Sequence, residues 1–337
     1  MNKTIPQGDP PRLTVESAPV KDLELKLRDS LGLRIRDVPK PPSYRKGDAN
    51  VAVLFSGGLD CSLLARLSHE ILSSDETIDL LNVAFENPRV VAAAANNDKS
   101  ATSAYENCPD RITGRAAFAE LQRVCPGRDW RFVAVDIPYA ENTGHREKVK
   151  RLMNPHNTEM DLSIACALYF ASRGQGTAFE SRRGDDAVPY ASPARVLLSG
   201  LGADELFAGY ARHGMAYSRN GFEGLIEEIN LDVSRLGKRN LGRDDRIISN
   251  WGREARYPYL DEEFVSWVLR VPVWEKCGFG TPDDDEPSLG REKKALRLVA
   301  LRLGLEKVAR EKKRAIQFGS RTAKMEKGRT KGTDALS

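Results

Sequence analysis

Val51-Ala52-Val53-Leu54-Phe55-Ser56-Gly57-Gly58-Leu59-Asp60-Cys61-Ser62 is the stretch that decides how this chain is read. The five apolar residues from Val51 to Phe55 make a short run of the kind that builds a buried strand. Ser56-Gly57-Gly58 then predicts a tight turn, and a helical pattern follows Leu59. Such a turn points several backbone N–H groups outward at a helix start, which is an anion site that suits a pyrophosphate. Glycine lets the main chain approach phosphate oxygens with no Cβ in the way. Asp60 can hold a Mg2+ that bridges phosphate oxygens, because Mg2+ favours one or two carboxylates together with phosphates. The chain has no Gly-x-x-x-x-Gly-Lys-Ser/Thr sequence, which excludes a Walker-type phosphate loop, and no Gly-x-Gly-x-x-Gly at this strand, which argues against a dinucleotide fold.

A second segment repeats the pattern. Val196-Leu197-Leu198 runs into Ser199-Gly200-Leu201-Gly202 and then Ala203-Asp204-Glu205-Leu206-Phe207-Ala208-Gly209-Tyr210. Asp204 and Glu205 fall in the first turn of the helix this predicts, where acidic side chains also simply complement the helix dipole. In parallel sheets, however, ligands gather at the carboxyl ends of strands. Two glycine-rich turns, each with an aspartate, can therefore converge on one nucleotide and its metal.

The first loop resembles the PP-loop of the ATP pyrophosphatases, which cut ATP between the α- and β-phosphates. The two loops together resemble the synthetase domain of asparagine synthetase. Asp245-Arg246-Ile247-Ile248-Ser249 and Glu254-Ala255-Arg256-Tyr257-Pro258-Tyr259-Leu260-Asp261 agree with that family. A branch of asparagine synthetase domain-containing proteins is closer still. It is similar in Pro109-Asp110-Arg111-Ile112-Thr113-Gly114-Arg115-Ala116, in 161–174, in 239–246 and in the run from Lys313 to Lys327. The resemblance covers roughly 20–330. It implies an α/β fold, a parallel-sheet adenine-nucleotide-hydrolase-like PP-loop fold with a largely helical C-terminal half. It also implies a two-step ligase that adenylates the side-chain carboxylate of aspartate with ATP and Mg2+, then forms asparagine by ammonia attack.

Carried over by residue, Ser56, Gly57, Gly58, Asp60 and Ser62 match the pyrophosphate loop. Phe55 and Val83 match positions whose main chain meets adenine, and Ser199 and Gly200 match the nucleotide contact of the second loop. Asp60 and Asp204 match the metal ligands. Lys313 and Arg314 are the candidates for the family's phosphate-holding lysine, the alternative being a solvated basic run. Two departures stand out. Asn2 occupies the place of the family's N-terminal glutaminase cysteine, and no cysteine precedes Cys61. Nothing before residue 20 reads as a glutaminase domain, so ammonia is expected from a separate glutaminase subunit or domain, or free, unless the chain is a fragment. Leu201 stands where the family usually has a glutamate that serves ammonia attack, and leucine can neither accept a proton nor pair with an ammonium. Three readings stay open: the amide ligase; another PP-loop chemistry such as tRNA thiolation; and a nucleotide-binding protein or scaffold that has lost amide transfer.

Composition agrees with a globular nucleotide-binding chain. The 337 residues carry a net charge of only +4, which argues against an extended nucleic-acid surface. No window reaches the apolar length of a membrane span, and the start lacks a secretion signal. The five cysteines are scattered with no Cys-x-x-Cys pair, which fits a reducing cytoplasm and offers no zinc framework. The expected layout is a mobile segment at 1–18, an α/β nucleotide-binding core at about 48–215, a helical part at about 221–320 and a basic tail at 319–337. Further strands read at 80–85, 132–136 and 196–198. Residues 86–115 and 173–194 read as loops, with 172–192 a surface insertion, and 283–286 as an acidic loop.

Overall fold

The computed structural model describes residues 1–95, 103–180, 187–281, 289–325 and 331–336. Among the described residues seven strands form one sheet: β1 (Ala49–Leu54), β2 (Thr77–Phe85), β3 (Trp130–Ile137), β4 (Gln175–Glu180), β5 (Ala187–Ala191), β6 (Val196–Leu198) and β7 (Glu254–Arg256). The helices are α1 (Ala18–Ile35), α2 (Leu59–Ile71), α3 (Pro88–Ala95), α4 (Pro109–Val124), α5 (Tyr139–Met153), α6 (Glu159–Arg173), α7 (Ala203–Leu206) and α8 (Ala211–Leu236). They continue as α9 (Gly242–Ser249), α10 (Glu262–Arg270), α11 (Lys294–Arg302), α12 (Glu306–Arg310) and α13 (Ile316–Gly319).

The strand order is β5-β4-β3-β2-β1-β6-β7. β1 pairs in parallel with β2 and with β6, so the tips of β1 and β6 are neighbours. Both sheet faces are covered, which is why β1 and β2 read as near-continuous apolar runs rather than alternating ones. Val51 and Val53 face a core shared with α1, α2, α4, α11 and α12, whereas Ala52, Leu81 and Val83 face one shared with α5, α6 and α9. Val20, Leu23, Leu27 and Leu31 of α1, and Leu162, Cys166 and Tyr169 of α6, recur at helical spacing, the signal of one apolar face, and all are buried.

The structure corrects the sequence reading at several points. The sheet is mixed, because β4 runs antiparallel to β3 and β5 antiparallel to β4. The stretch read as the insertion 172–192 supplies this hairpin, although part of it lies outside the described residues. Ser172 itself is buried at the end of α6. The stretch 86–115, read as a loop, holds α3 and the start of α4. Pro88 and Pro109 each stand at the first helical position, where a proline's missing N–H costs nothing. β7 interrupts the region read as all helix by adding a parallel edge to β6. Trp251, Trp267 and Trp274, all within the part read as helical, are only partly buried. The segment before α1 lies on the body: Leu13 is buried and the Asn2 N–H donates to Leu269 O at 2.6 Å. Toward the other end, Ser320, Thr322 and Met325 are buried. The acidic loop at 283–286 lies outside the described residues. Among the described residues no helix is long and apolar enough to cross a membrane.

Candidate active site

The first loop leaves β1 and enters α2 through Ser56, Gly57 and Gly58. Gly57 has φ +80, and a Cβ there would meet the Gly114 backbone at 2.5 Å, so the loop is backed directly against α4. Ser56 Oγ accepts from the Gly58 N–H at 3.3 Å, which shapes the turn. Cys61 Sγ donates to Gly58 O, and burial pushes its thiol up, so Cys61 serves the loop as a small packed residue rather than as a thiolate. The first-turn N–H groups of α2 have no partner within the helix. The second loop, Ser199 to Gly202, leaves the neighbouring tip of β6 and enters α7. Gly200 lies over Asp60, and a Cβ added to it would stand 2.9 Å from the Asp60 Cβ, a clash only glycine avoids.

Between the loops lies a four-charge cluster. Lys293 Nζ stands 2.6 Å from Asp60 Oδ2 and 2.8 Å from Asp204 Oδ1. Lys313 Nζ reaches Asp204 Oδ1 at 3.2 Å and lies over the Tyr210 ring. Burial pushes the Asp60 carboxyl above the ordinary aspartate range, Lys293 only partly opposing it. Burial acts the same way on Asp204, but there Lys293 and Lys313 together prevail and hold the carboxyl low. The Lys293 ammonium is held above the ordinary lysine range: burial opposes its charge, and Asp204 and Asp60 more than offset that. Arg297, itself buried, donates to Ala309 O and Glu311 O and so pins the segment that presents Lys313 and Arg314. Arg314 donates to Thr113 Oγ1 at 3.2 Å.

Ser56, Gly58, Asp60, Ser199, Gly200, Asp204, Lys313 and Arg314 all line one cleft of about 940 Å³. Phe55, Gly57, Ser62 and Val83 do not line it. Phe55 is core; its N–H is given to Leu81 O and its C=O accepts from Asn82 Nδ2 at 2.9 Å. Ser62 is fully buried behind the loop, and Val83 pairs with Val135 inside the sheet. The last residues of the run from Lys313 to Lys327 lie outside the described residues.

Sequence reading missed Lys293, Gly209 and Asp110. Lys293 sits in a basic stretch before an amphipathic helix and looks like any surface lysine. Asp110 opens α4, lines the cleft and is 6% exposed. Its backbone C=O and that of Phe55 accept from the same Asn82 amide, which ties it to the first loop. Burial pushes its carboxyl up to about 7, with Arg314 opposing and Glu311 adding. A raised acid is stabilising below its unfolded value of 3.8, and that contribution is lost as pH rises through about 7. Asp110→Asn removes this loss. Relative to wild type it should gain on the order of 2–3 kcal/mol between about pH 5 and about pH 8 in urea unfolding. A variant that tracks wild type over that range would show that Asp110 is not a buried titrating acid.

A Mg2+ ion fits the residues present. Asp60 Oδ1 is buried and has no hydrogen-bond partner, leaving one carboxylate oxygen open beside Asp204. Among the described residues no group of three or more His, Cys, Asp or Glu could hold a metal by itself. Such a site must complete its coordination with phosphate and water, as Mg2+ does.

Comparison with known proteins shows which sequences this chain is similar to. The asparagine synthase family pattern matches residues 190–228 and 220–333. An asparagine synthetase domain-containing protein 1 from Bos taurus is 44% identical over 311 residues, 85% of this chain and 47% of that protein. A Saccharomyces cerevisiae asparagine synthetase domain-containing protein is 38% identical over 325 residues, 94% of this chain and 55% of that one. An Arabidopsis thaliana asparagine synthetase (glutamine-hydrolyzing) 3 is 34% identical over 101 residues, 30% of this chain and 16% of its own. The chain spans about half the length of the curated asparagine synthetase domain-containing relatives it matches. With both glycine loops in register on adjacent strands and these similarities, the chain is a member of the asparagine synthetase-like domain family.

Proposed function

We propose that the cleft binds ATP and a small carboxylic acid, aspartate being favoured, and converts the side-chain carboxylate to an amide. The observation that carries this reading is the meeting of two glycine loops on adjacent parallel strand tips around Asp60, Asp204, Lys293 and Lys313. In the first step a carboxylate oxygen attacks the α-phosphorus, the bond to the β-phosphate oxygen breaks, and its electron pair leaves on pyrophosphate. In the second, ammonia attacks the acyl carbon, AMP departs with the C–O electron pair, and the nitrogen loses a proton. The protein's part is alignment and charge stabilisation rather than a covalent bond. The N–H groups at the start of α2, with Lys313 and Arg314, would take the charge that builds on the leaving pyrophosphate. Mg2+, held by Asp60 and Asp204, would neutralise phosphate oxygens when bound.

Amide formation has less support from the side chains. Leu201 lines the cleft and offers no proton acceptor. Glu205 is nearby, but its Oε1 already accepts from Tyr210 Oη at 2.7 Å and Asn240 Nδ2 at 3.2 Å. Leu201 therefore favours a second reading, a nucleotide-binding protein without amide transfer. Exchange of labelled pyrophosphate into ATP, run against a panel of carboxylates, separates the two. Aspartate-dependent exchange supports the ligase; ATP binding with no exchange supports the second reading. Leu201→Glu should raise amide formed per adenylate by about tenfold or more, since general acid–base help is worth roughly 10²–10⁴-fold. Unchanged amide yield, measured by chromatography, would place residue 201 away from the acyl carbon.

A further inference from the structure

We propose that Lys293 is the resident cation of this site and that a divalent metal is admitted only together with the nucleotide. This rests on the reading that the cleft takes a metal–nucleotide complex.

The geometry is that of a built-in counter-ion, not of a surface lysine that has wandered inward. The ammonium bridges the two aspartates at 2.6 and 2.8 Å, and the residue is 2% exposed. Its backbone is left-handed, with φ 55, uncommon for a lysine, and its N–H is given to Phe207 O at 3.0 Å. Its Cε lies where a Cβ on Gly209 would come within 2.3 Å, so the bare glycine makes its channel. Its own left-handed backbone and two contacts from the segment after α7 thus fix one side chain at one point between two carboxylates.

Charge counting gives the consequence. Asp60 and Asp204 carry two negative charges, and Lys293 and Lys313 return two positive ones. The cluster is already neutral. A bare divalent ion entering it would face two ammonium groups and would have to lose its water for no net attraction. A triphosphate tail changes the balance, because its negative charge pairs with the metal before either enters. Asp60 Oδ1, unpartnered and buried, is then an open ligand that the metal can reach without evicting Lys293.

The test is Mn2+ uptake by the full chain, read from the paramagnetic signal of the free ion, with and without a non-hydrolysable ATP analogue. Wild type should refuse Mn2+ alone at millimolar concentration and take it up with the analogue. Lys293→Met should bind Mn2+ alone at least about tenfold more tightly than wild type, since the vacated seat between two carboxylates then attracts the ion. Its melting temperature should rise with Mn2+ or Mg2+, while wild type and Lys293→Arg stay unmoved. Tight uptake by wild type without nucleotide overturns the proposal, and this arm decides even if Lys293→Met does not fold. A folded Lys293→Met that gains no metal affinity overturns it too. Should wild type refuse Mn2+ with the analogue as well, the functional reading fails. A gain by Lys293→Met on its own would still support Lys293 as the resident cation.

Discussion

Asp60→Asn is expected to abolish carboxylate-dependent exchange of pyrophosphate into ATP while leaving a folded protein. The substitution keeps the volume of the side chain and removes its charge. It takes away the Asp60 Oδ1 carboxylate oxygen, which has no hydrogen-bond partner among the described residues, and half of the bridge that seats Lys293. Losing one preorganised group that stabilises transition-state charge costs roughly 10²–10³-fold in rate. Here a metal ligand and a lysine anchor go together, so exchange should fall at least that far. Stability should move less, because two changes oppose: Lys293 loses one of its two carboxylate partners, while the Asp60 charge that burial disfavours is removed. Thermal unfolding run beside the exchange assay separates the two effects. Exchange surviving within tenfold of wild type would mean that Asp60 is no metal ligand and that the first loop serves another end.

Gly209→Ala should be among the most damaging alanine substitutions at the described glycines outside the sheet. Its Cβ would stand 2.1 Å from Asp204 Oδ1, 2.3 Å from Lys293 Cε and 2.9 Å from Asp204 Cα. None of these can retreat cheaply. Asp204 is held by α7, whose end is tied back by the Gly209 N–H to Asp204 O at 2.8 Å, and Lys293 is fixed as described above. Overpacking a tight interior costs about 1–3 kcal/mol, and separating a buried ion pair about 3–5 kcal/mol. The protein can take the first cost as strain or the second by moving Lys293 out. We expect a loss of at least about 3 kcal/mol in urea unfolding, with loss of exchange. Gly144→Ala is the control. It lies in α5 with nothing within 4 Å of the added carbon, and alanine there should be neutral or stabilising by up to about 1 kcal/mol. Equal behaviour of the two variants would refute the packing at Gly209.

Much of the fold was legible because its signals are local. β1, β2, β3 and β6 follow from apolar runs ended by turns, and α1 and α6 from stripes at helical spacing. The β4–β5 hairpin was hidden because its strands are short, carry the strand-breaking Gly176 and Pro189, and are mostly only partly buried. It is a strand pair by virtue of the β3 edge it meets, not of its own composition. β7 was hidden for a similar reason: Glu254-Ala255-Arg256 has no strand character alone and extends only because β6 offers an open edge. For Phe55 and Val83 the sequence offered no signal of its own. The resemblance supplied their roles, while the sheet assigns the Phe55 main chain to Leu81 and Asn82.

From its order of residues alone this chain specified two glycine turns, each between an apolar strand and a helix, and placed an aspartate in the first turn of each helix. Such turns are events of a few neighbouring residues, governed by local backbone sterics, so local sequence is enough to write them. That β1 and β6 would lie side by side, and that a lysine 233 residues from Asp60 would close the pair of carboxylates, was decided only in three dimensions. Charge acts through space rather than along the chain, and nothing near Lys293 in the sequence distinguishes a cation destined for burial between two aspartates from one destined for water.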